Sequence, residues 1–383
     1  MKLPLAAFTN IDTMSTFTDS KPHYLILDGL RGVAALVVIL YHVFECFNWS
    51  PFPHGYLAVD FFFVLSGFVI GYAYDNRWGK DLTMKGFFRR RLIRLHPMVV
   101  MGALIGAICF ILQGSTRWNG VPVSTSTVML CMLFSMFMIP LSSHSSLDVR
   151  GNGEMFPLNG PNWSLFFEYI GNIMYALFIR HLSTRYLLCI TGVLGCLLAT
   201  IAIGDGHLGV GWTMADGDFW GGLIRMLFPY SVGMLMARTF KPLKIKGSFW
   251  GLGAVIVIIA CLPLLFGQMS RWTNGLYDAL VVIFVFPSLV WLGASKLNVD
   301  ERTMRTSKFL GNLSYPLYAI HYPFMYLFYS HIGFDGDLVP ISKLRDVWFE
   351  ALLLPIVCVL LAIICYRYYD LPIRKKLTKI WKE

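Results

Sequence analysis

Charged side chains are scarce in this chain. Asp, Glu, Lys and Arg together make up 14% of its 383 residues, whereas soluble globular chains contain about 25%. Hydrophobic residues make up 56%, and apolar runs of about 20 residues recur along almost the whole length. This composition leaves no room for a large soluble domain and predicts an all-α, polytopic integral membrane helix bundle.

Other common functional patterns are missing as well. None of the eight cysteines belongs to a Cys-x-x-Cys motif, so we expect small buried residues rather than disulfides or metal ligands. No internal repeat is visible, which leaves an inverted-repeat transporter without direct support. The net charge of +10 comes from cations clustered in a few connections, so it indicates cytoplasmic loops and anionic lipid contacts rather than nucleic-acid binding.

The positions of the apolar runs predict a topology. The runs occupy 28–47, 55–75, 97–113, 124–141, 161–180, 185–203, 219–238, 248–267, 275–293, 309–331 and 346–368. Basic connections are expected in the cytoplasm, and they lie at 77–96, 238–246, 296–308 and in the tail from Arg367. Three aspartates and no lysine or arginine occur at 204–218, as expected for a loop on the outside.

Connection 77–96 is expected inside and 142–160 outside, which requires an odd number of crossings between them. Two apolar runs lie there, so one of them does not cross. The run at 124–141 is short and rich in Ser, Thr and Met, so we predict that it is re-entrant or lies on the membrane surface. About ten spanning helices then remain, with both termini in the cytoplasm. The predicted organisation is a tail at 1–22, a membrane domain at 23–374 and a second tail at 375–383.

The first apolar run contains an arginine and a histidine. Arg31 and His42 are eleven positions apart, which at 100° per residue places both on one helix face, about 16 Å from each other. We therefore expect Arg31 near the cytoplasmic surface and His42 toward the outer half. An ionisable group at that depth is a candidate functional residue, although a snorkelling arginine and a histidine bonded between helices explain the same pattern.

A basic stretch precedes Pro97. Arg91 and Arg94 are three apart and share a helix face, with Arg89 and Arg90 extending the charge around it. Guanidinium groups suit bidentate binding of phosphate oxygens. The alternative is a juxtamembrane segment that obeys the positive-inside rule and contacts lipid head groups.

Two carboxylates and a second histidine complete the candidate residues. Asp60 opens the second run, where it either marks the outer surface or orients His42 from the neighbouring helix. Glu168 lies one turn into its run and needs a partner, because an isolated charge there is costly. His321 follows Tyr318 by three residues and Tyr315 by six, and a polar contact between helices is its simpler interpretation.

Six short motifs follow one another across nearly the whole chain. They are Arg31-x10-His42, Val59-Asp60-Phe61-Phe62-Phe63-Val64-Leu65-Ser66-Gly67-Phe68, Arg91-x-x-Arg94 before Pro97, Trp163-Ser164-Leu165-x-x-Glu168, Ser314-Tyr315-x-Leu317-Tyr318-x-x-His321 and Pro372-x-Arg374. In this order they resemble the acyltransferase 3 family of integral membrane acyltransferases. One departure is Tyr169-Ile170, which stands where that family usually has a Phe-Tyr pair.

The resemblance implies a substrate class and a location. The donor would be a cytoplasmic acyl-CoA, commonly acetyl-CoA, and the acceptor a hydroxyl of an extracytoplasmic or membrane-proximal molecule, often a glycan. The protein would reside in a bacterial plasma membrane, with no bound cofactor and no metal. A transporter or flippase for a glycan or small molecule is the competing class, since intramembrane Arg, His and Glu also line substrate paths, and a scaffold with a structural polar network is the third.

The resemblance also implies roles for the residues. His42 would act as general base or form a transient acyl-imidazole, and Asp60 or Glu168 would orient it or balance its charge. The CoA phosphates would be held by four arginines, Arg31, Arg90, Arg91 and Arg94. The predicted acceptor-binding residues are Trp163, Ser164, Tyr315, Tyr318 and His321.

Overall fold

The structure, a computed structural model, describes residues 24–243, 248–264, 271–295 and 300–381. Within these ranges the chain is helical, with isolated β-bridges and no strand, which confirms the all-α class. The helices are α1 (Leu25–Phe44), α2 (Ala58–Tyr74), α3 (Met84–Leu112), α4 (Thr125–Met136), α5 (Asn162–Leu177), α6 (Thr184–Asp205), α7 (Asp216–Thr239), α8 (Phe249–Cys261), α9 (Arg271–Leu280), α10 (Phe286–Ala294), α11 (Glu301–Ile320), α12 (Tyr322–His331), α13 (Leu344–Cys365) and α14 (Leu371–Ile380). The predicted tail at 1–22 and parts of two basic connections lie outside the described residues.

Several helices are suited to a membrane. In the described ranges, six are long and apolar enough to cross one: Leu25–Phe44, Gly55–Tyr74, Met84–Leu112, Thr184–Asp205, Arg271–Ala294 and Ile341–Ile380. This agrees with an integral membrane protein, and the count of about ten remains a prediction. The helix in the run expected not to cross, α4, has 12 residues, so it extends about 18 Å and is shorter than a hydrocarbon core of about 30 Å.

The basic stretch before Pro97 is helical and is not a connection. Helix α3 begins at Met84, and the Thr83 side chain caps it by accepting a hydrogen bond from the Gly86 amide at 3.1 Å. The prediction that 77–96 forms a loop is therefore wrong for its second half. Hydropathy placed the start too late because arginine and lysine, though charged, are good helix formers.

One predicted span is divided into two helices. The run at 309–331 contains α11 and α12, which meet at His321. Pro323 lies in the first turn of α12, where a proline needs no amide hydrogen and favours a helix start. The histidine ring is thereby held next to the last carbonyl groups of α11.

Close backbone approaches hold together the two helix pairs that surround the charged residues of α1 and α2. A Cβ atom on Gly32 would lie 2.5 Å from the Leu310 carbonyl oxygen, so α1 packs directly on α11. A Cβ atom on Gly67 would lie 2.0 Å from the Tyr230 carbonyl oxygen, so α2 packs equally closely on α7. Small residues permit such contacts between membrane helices. These two pairs decide which side chains can meet the charged residues of α1 and α2.

Candidate active site

Arg31 and His42 both lie in α1, as predicted, and each is the centre of a polar cluster. The Arg31 cluster comprises Asp28, Arg31, Arg91, Arg94, Glu168, Ser314 and Tyr315. The His42 cluster comprises His42, Glu45, Ser164, Tyr318, His321, Tyr322 and Tyr329. The two clusters are about 16 Å apart along the helix, so they act on different parts of any molecule that contacts both.

Arg31 is fixed against α11. Its Nε donates to Ser314 Oγ at 2.9 Å and its Nη2 to the Gly311 carbonyl at 3.2 Å. The same Nη2 lies 2.9 Å from Asp28 Oδ1, and the arginine side chain is 24% exposed. The guanidinium is therefore held in place while part of it remains accessible.

Glu168 pairs with Arg91 of α3. Arg91 Nη2 lies 2.6 Å from Glu168 Oε1, and Ser66 Oγ donates to the same oxygen at 2.9 Å. The two charged side chains are 12% and 18% exposed. Glu168 thus has the arginine partner that its depth requires. Arg91 Nε is buried without a partner among the described atoms.

Arg94 differs from the other three predicted phosphate ligands because its side chain is exposed. It forms no hydrogen bond or ion pair within the part of the chain that the structure describes, and it lies within electrostatic reach of Arg31 and Arg374. The remaining arginine, Arg90, is half-buried, and its charge interacts electrostatically with the Asp81 carboxylate. Of the four predicted phosphate ligands, Arg94 is therefore the exposed one, and it has no direct ion pair among the described residues.

His42 has a carboxylate partner one turn away on its own chain. Its Nδ1 lies 2.8 Å from Glu45 Oε1, and the side chains are 15% and 21% exposed. The contact does not meet hydrogen-bond geometry, but two bare acceptors at this distance would repel, so the proton lies on Nδ1. In the described residues no group bonds to Nε2, which keeps its lone pair.

Two tyrosines of α12 hold Glu45 in place. Tyr322 and Tyr329 donate to its Oε1 at 2.9 and 2.8 Å, and the Tyr329 hydroxyl also contacts the His42 carbonyl. The Tyr322 ring stands edge-on to the His42 ring, with 4.6 Å between centroids. The carboxylate is thereby solvated by hydroxyl groups where water is scarce.

Asp60 does not occupy the orienting position that the sequence predicted for it. Both of its oxygens accept from Arg225 of α7, with the closest contact at 2.8 Å, and the two side chains are 0% and 2% exposed. The cause is the close packing of α2 on α7, which offers Asp60 a buried cation that would otherwise be unpaired. The carboxylate that faces His42 belongs to Glu45. Trp163 packs on this pair, with its ring centroid 5.2 Å from the Arg225 guanidinium carbon.

His321 stands next to His42. Its ring centroid is 5.4 Å from that of His42, and the side chain is fully buried. Tyr318 and Ser164 extend this wall, with their hydroxyl oxygens 2.6 Å apart and the Tyr318 ring 5.8 Å from the His321 ring. Tyr315 lies instead in the Arg31 cluster, where its hydroxyl donates to the Leu95 carbonyl.

Sequence reasoning missed four residues: Glu45, Arg225, Tyr322 and Tyr329. Glu45 had a local signal, since a carboxylate three positions after an intramembrane histidine lies on the same helix face. Arg225 also had one, because an arginine inside an apolar run requires a carboxylate partner. The tyrosines carry no such signal, since tyrosine is common in membrane helices.

No cysteine belongs to either cluster. All eight cysteines are free in the structure. Across the described residues no three His, Cys, Asp or Glu side chains are grouped so that they could hold a metal ion. What the clusters offer is an imidazole whose Nε2 has no partner among the described residues, a carboxylate beside its Nδ1 and a cationic region farther along the same helix.

Comparison with known proteins gives these clusters a context. The family described as an acyltransferase domain matches residues 24–367. Protein 2 in the picA locus of Rhizobium radiobacter is 35% identical over 160 residues, which cover 40% of this chain and 81% of that protein. The O-acetyltransferase OatA of Staphylococcus aureus is 24% identical over 373 residues, which cover 93% of this chain and 58% of that protein. The chain thus spans little more than half of the staphylococcal protein, and no solved structure matches it.

Proposed function

This chain belongs to the family of the acyltransferase domain that matches its residues 24–367, and we propose that it is a membrane O-acetyltransferase. The donor is acetyl-CoA from the cytoplasm, and the acceptor is a hydroxyl group of an extracytoplasmic or membrane-proximal glycan. The observation that carries this proposal is the state of His42: Nδ1 faces a carboxylate at 2.8 Å, and Nε2 is free to take a proton.

The Arg31 cluster supports the donor assignment. Arg94 is exposed and has a guanidinium that can bind phosphate oxygens in a bidentate manner. Arg31 and Arg91 add positive charge nearby, although each shares its charge with a carboxylate. The acyl end of a donor bound there would reach His42 by following α1 over about 16 Å.

His42 serves as the general base in the proposed reaction. Its Nε2 removes the proton of the acceptor hydroxyl while the oxygen attacks the thioester carbonyl. The new carbon–oxygen bond forms, the carbon–sulfur bond breaks, and the proton passes from Nε2 to the departing thiolate to give free CoA. Glu45 keeps the proton on Nδ1 throughout and stabilises the imidazolium that forms between the two transfers.

A trapping experiment distinguishes this route from an acyl-imidazole. The purified protein is incubated with radiolabelled acetyl-CoA in the absence of acceptor and then separated from free label. The general-base route predicts no stoichiometric label on the protein. Labelling with one acetyl group per chain that disappears in His42→Ala would contradict the general-base route. It would indicate a covalent acyl-imidazole on His42 instead.

The proposed function has a direct test. The protein in detergent or vesicles is given labelled acetyl-CoA and surface glycans from a strain that lacks the gene, and both free CoA and label in the glycan are measured. An O-acetyltransferase produces both in equal amounts. Movement of glycan across the vesicle membrane without CoA release would instead identify a transporter or flippase.

The orientation is part of the proposal and is tested separately. Basic connections favour a cytoplasmic Arg31 cluster with both termini on that side of a bacterial plasma membrane. Single cysteines are placed in 204–218 and in 238–246 in a cysteine-free background, and intact cells are treated with an impermeant thiol reagent. We expect labelling of the first set alone. Labelling of 238–246 from outside would reverse the orientation and the donor side.

A further inference from the structure

The proposed base is not the only imidazole at its site. The rings of His42 and His321 lie side by side, with centroids 5.4 Å apart and planes inclined by 32°. His42 lies in α1, and His321 lies at the junction of α11 and α12. The packing of α1 on α11 brings the two rings together. The reaction proposed above assigns no task to the second ring.

The hydrogen-bond partners of His321 determine its tautomer. Its Nδ1 lies 3.1 Å from the Leu317 carbonyl and 2.9 Å from the Tyr318 carbonyl. Carbonyl oxygens only accept, so Nδ1 carries the proton and Nε2 carries a lone pair. That Nε2 is buried and has no partner in the described part of the structure. A buried acceptor without a donor is unfavourable, which indicates that a donor fills the position when the site is occupied.

The His42 ring, 5.4 Å away between centroids, offers a second acceptor. Glu45 keeps the proton on Nδ1, so Nε2 of His42 is also an acceptor. A single hydroxyl has one proton and cannot donate to both rings. Tyr322 and Tyr329 already donate to Glu45, and the hydroxyls of Ser164 and Tyr318 bond to each other. Two neighbouring O–H donors on one substrate molecule match two neighbouring lone pairs.

We propose that the site recognises the acceptor as a vicinal diol. One hydroxyl gives its proton to His42 Nε2 and receives the acyl group, while the adjacent hydroxyl donates to His321 Nε2 and stays unmodified. His321 is therefore a specificity-determining residue. This inference rests on the proposed function and narrows the glycan hydroxyl that accepts the acyl group to one with a free hydroxyl on the adjacent carbon.

The test compares two small probes of similar shape. The full-length protein in detergent is given acetyl-CoA with either cis-1,2-cyclohexanediol or cyclohexanol, and CoA release and ester formation are measured. We expect the diol to be acylated about tenfold faster, since one hydrogen bond that satisfies a buried acceptor is worth about one order of magnitude. The wild-type comparison needs no substitution and is independent of any folding defect.

A substitution locates the preference. His321→Phe keeps an aromatic ring but removes the lone pair, so it should abolish the diol preference and make the rates for diol and cyclohexanol equal within the variant. His331→Phe, at the exposed end of α12, is the matched control and should change neither rate. Size-exclusion chromatography verifies that each variant is folded.

The outcomes separate this inference from the function on which it rests. Equal wild-type rates for diol and cyclohexanol overturn the diol assignment alone, as does a preference that survives in His321→Phe. Acylation of the surface glycan without acylation of either probe also overturns the diol assignment. Absence of CoA release with every acceptor, the glycans included, removes the proposed function first and the inference with it.

Discussion

The two ends of α1 differ in how they handle charge. The Arg31 cluster contains permanent cations, two of them paired with carboxylates and one, Arg94, exposed without a direct partner. The His42 cluster contains one carboxylate, Glu45, surrounded by tyrosine hydroxyls, and imidazoles that can gain or lose a proton. Binding a phosphate-bearing donor requires charge that persists, whereas proton transfer requires a group that changes its charge.

The same difference in charge explains why side chains of the Arg31 cluster are accessible while His321 is buried. Guanidinium groups remain charged under all conditions, and Arg31 stays accessible to solvent or phosphate near its end of the helix. His321 is fully buried and neutral in the tautomer that its backbone partners impose. One helix thus joins a permanently charged surface to a site where charge appears only during turnover.

The largest effect should come from replacing the base. His42→Ala should reduce acyl transfer at least about 100-fold, because a positioned general base contributes 10²–10⁴-fold. CoA titration should show unchanged donor affinity, since the Arg31 cluster is intact. A well-folded His42→Ala protein that keeps most of its activity would falsify the assignment of proton transfer to the His42 cluster.

The next effect concerns the partner of that base. Glu45→Gln keeps an acceptor for Nδ1 but removes the negative charge, so turnover should fall roughly 10- to 100-fold. The pH profile of turnover should also change, because the charge beside the imidazole is gone. Turnover is measured from pH 5 to 9 with acetyl-CoA varied. An unchanged profile would show that Glu45 does not act on His42.

Asp60 provides the contrast, because it faces Arg225 and not the base. Asp60→Asn leaves a buried guanidinium unpaired and should lower the free energy of unfolding by about 3–5 kcal/mol. Its pH profile should match the wild type among molecules that remain folded. Thermal unfolding in detergent measures the loss, and the double variant Asp60→Asn with Arg225→Gln should recover part of it. A shifted profile in Asp60→Asn would restore Asp60 as an orienting group.

At the other end the expected effect is on donor binding. Arg94→Ala should raise the KM for acetyl-CoA about tenfold with little change in turnover or stability, because its exposed guanidinium has no protein ion pair to lose. Arg94→Lys should rescue only partly, since an ammonium lacks the planar fork. Arg91→Ala is the matched comparison: it strands Glu168 and should chiefly reduce stability. An unchanged KM in Arg94→Ala would make the basic stretch a lipid contact.

The smallest effect should come from the loop beyond the His42 cluster. Burial raises the pKa of Glu154 to about 7, and its carboxylate accepts from Asn152 at 2.8 Å and from Tyr326. Because the folded chain holds this proton more tightly than the unfolded chain, stability falls as pH rises from about 4.5 through 7. The loss is at most about 3 kcal/mol.

Comparing pH-dependent melting of wild type and Glu154→Gln checks this expectation. The variant cannot ionise at this position, so its unfolding temperature should vary less between pH 5 and 8, while acyl transfer stays within about twofold. Identical slopes in the two proteins would mean that Glu154 does not titrate with folding. A large loss of activity would extend the His42 cluster into this loop.

The sequence by itself determined the periodic features. Apolar runs specify helices, and the 3.6-residue repeat alone puts Arg31 and His42 on one face of α1. Hydropathy was less reliable where charge or a break interrupts a helix: α3 begins 13 residues before its apolar run, at Met84, and α11 ends inside one, at Ile320. Glu45 was within reach of the same local reasoning.

Only the tertiary structure decided the partners. A charged side chain in an apolar run must find an opposite charge or a donor, but which one it meets depends on how the helices are arranged. Asp60 meets Arg225 and Arg91 meets Glu168 across 165 and 77 residues of sequence. Such pairs follow from the close packing of particular helix faces, as at Gly32 and Gly67. That packing also brings His321 beside His42, because interactions between helices lack the fixed spacing that a single helix imposes on its own residues.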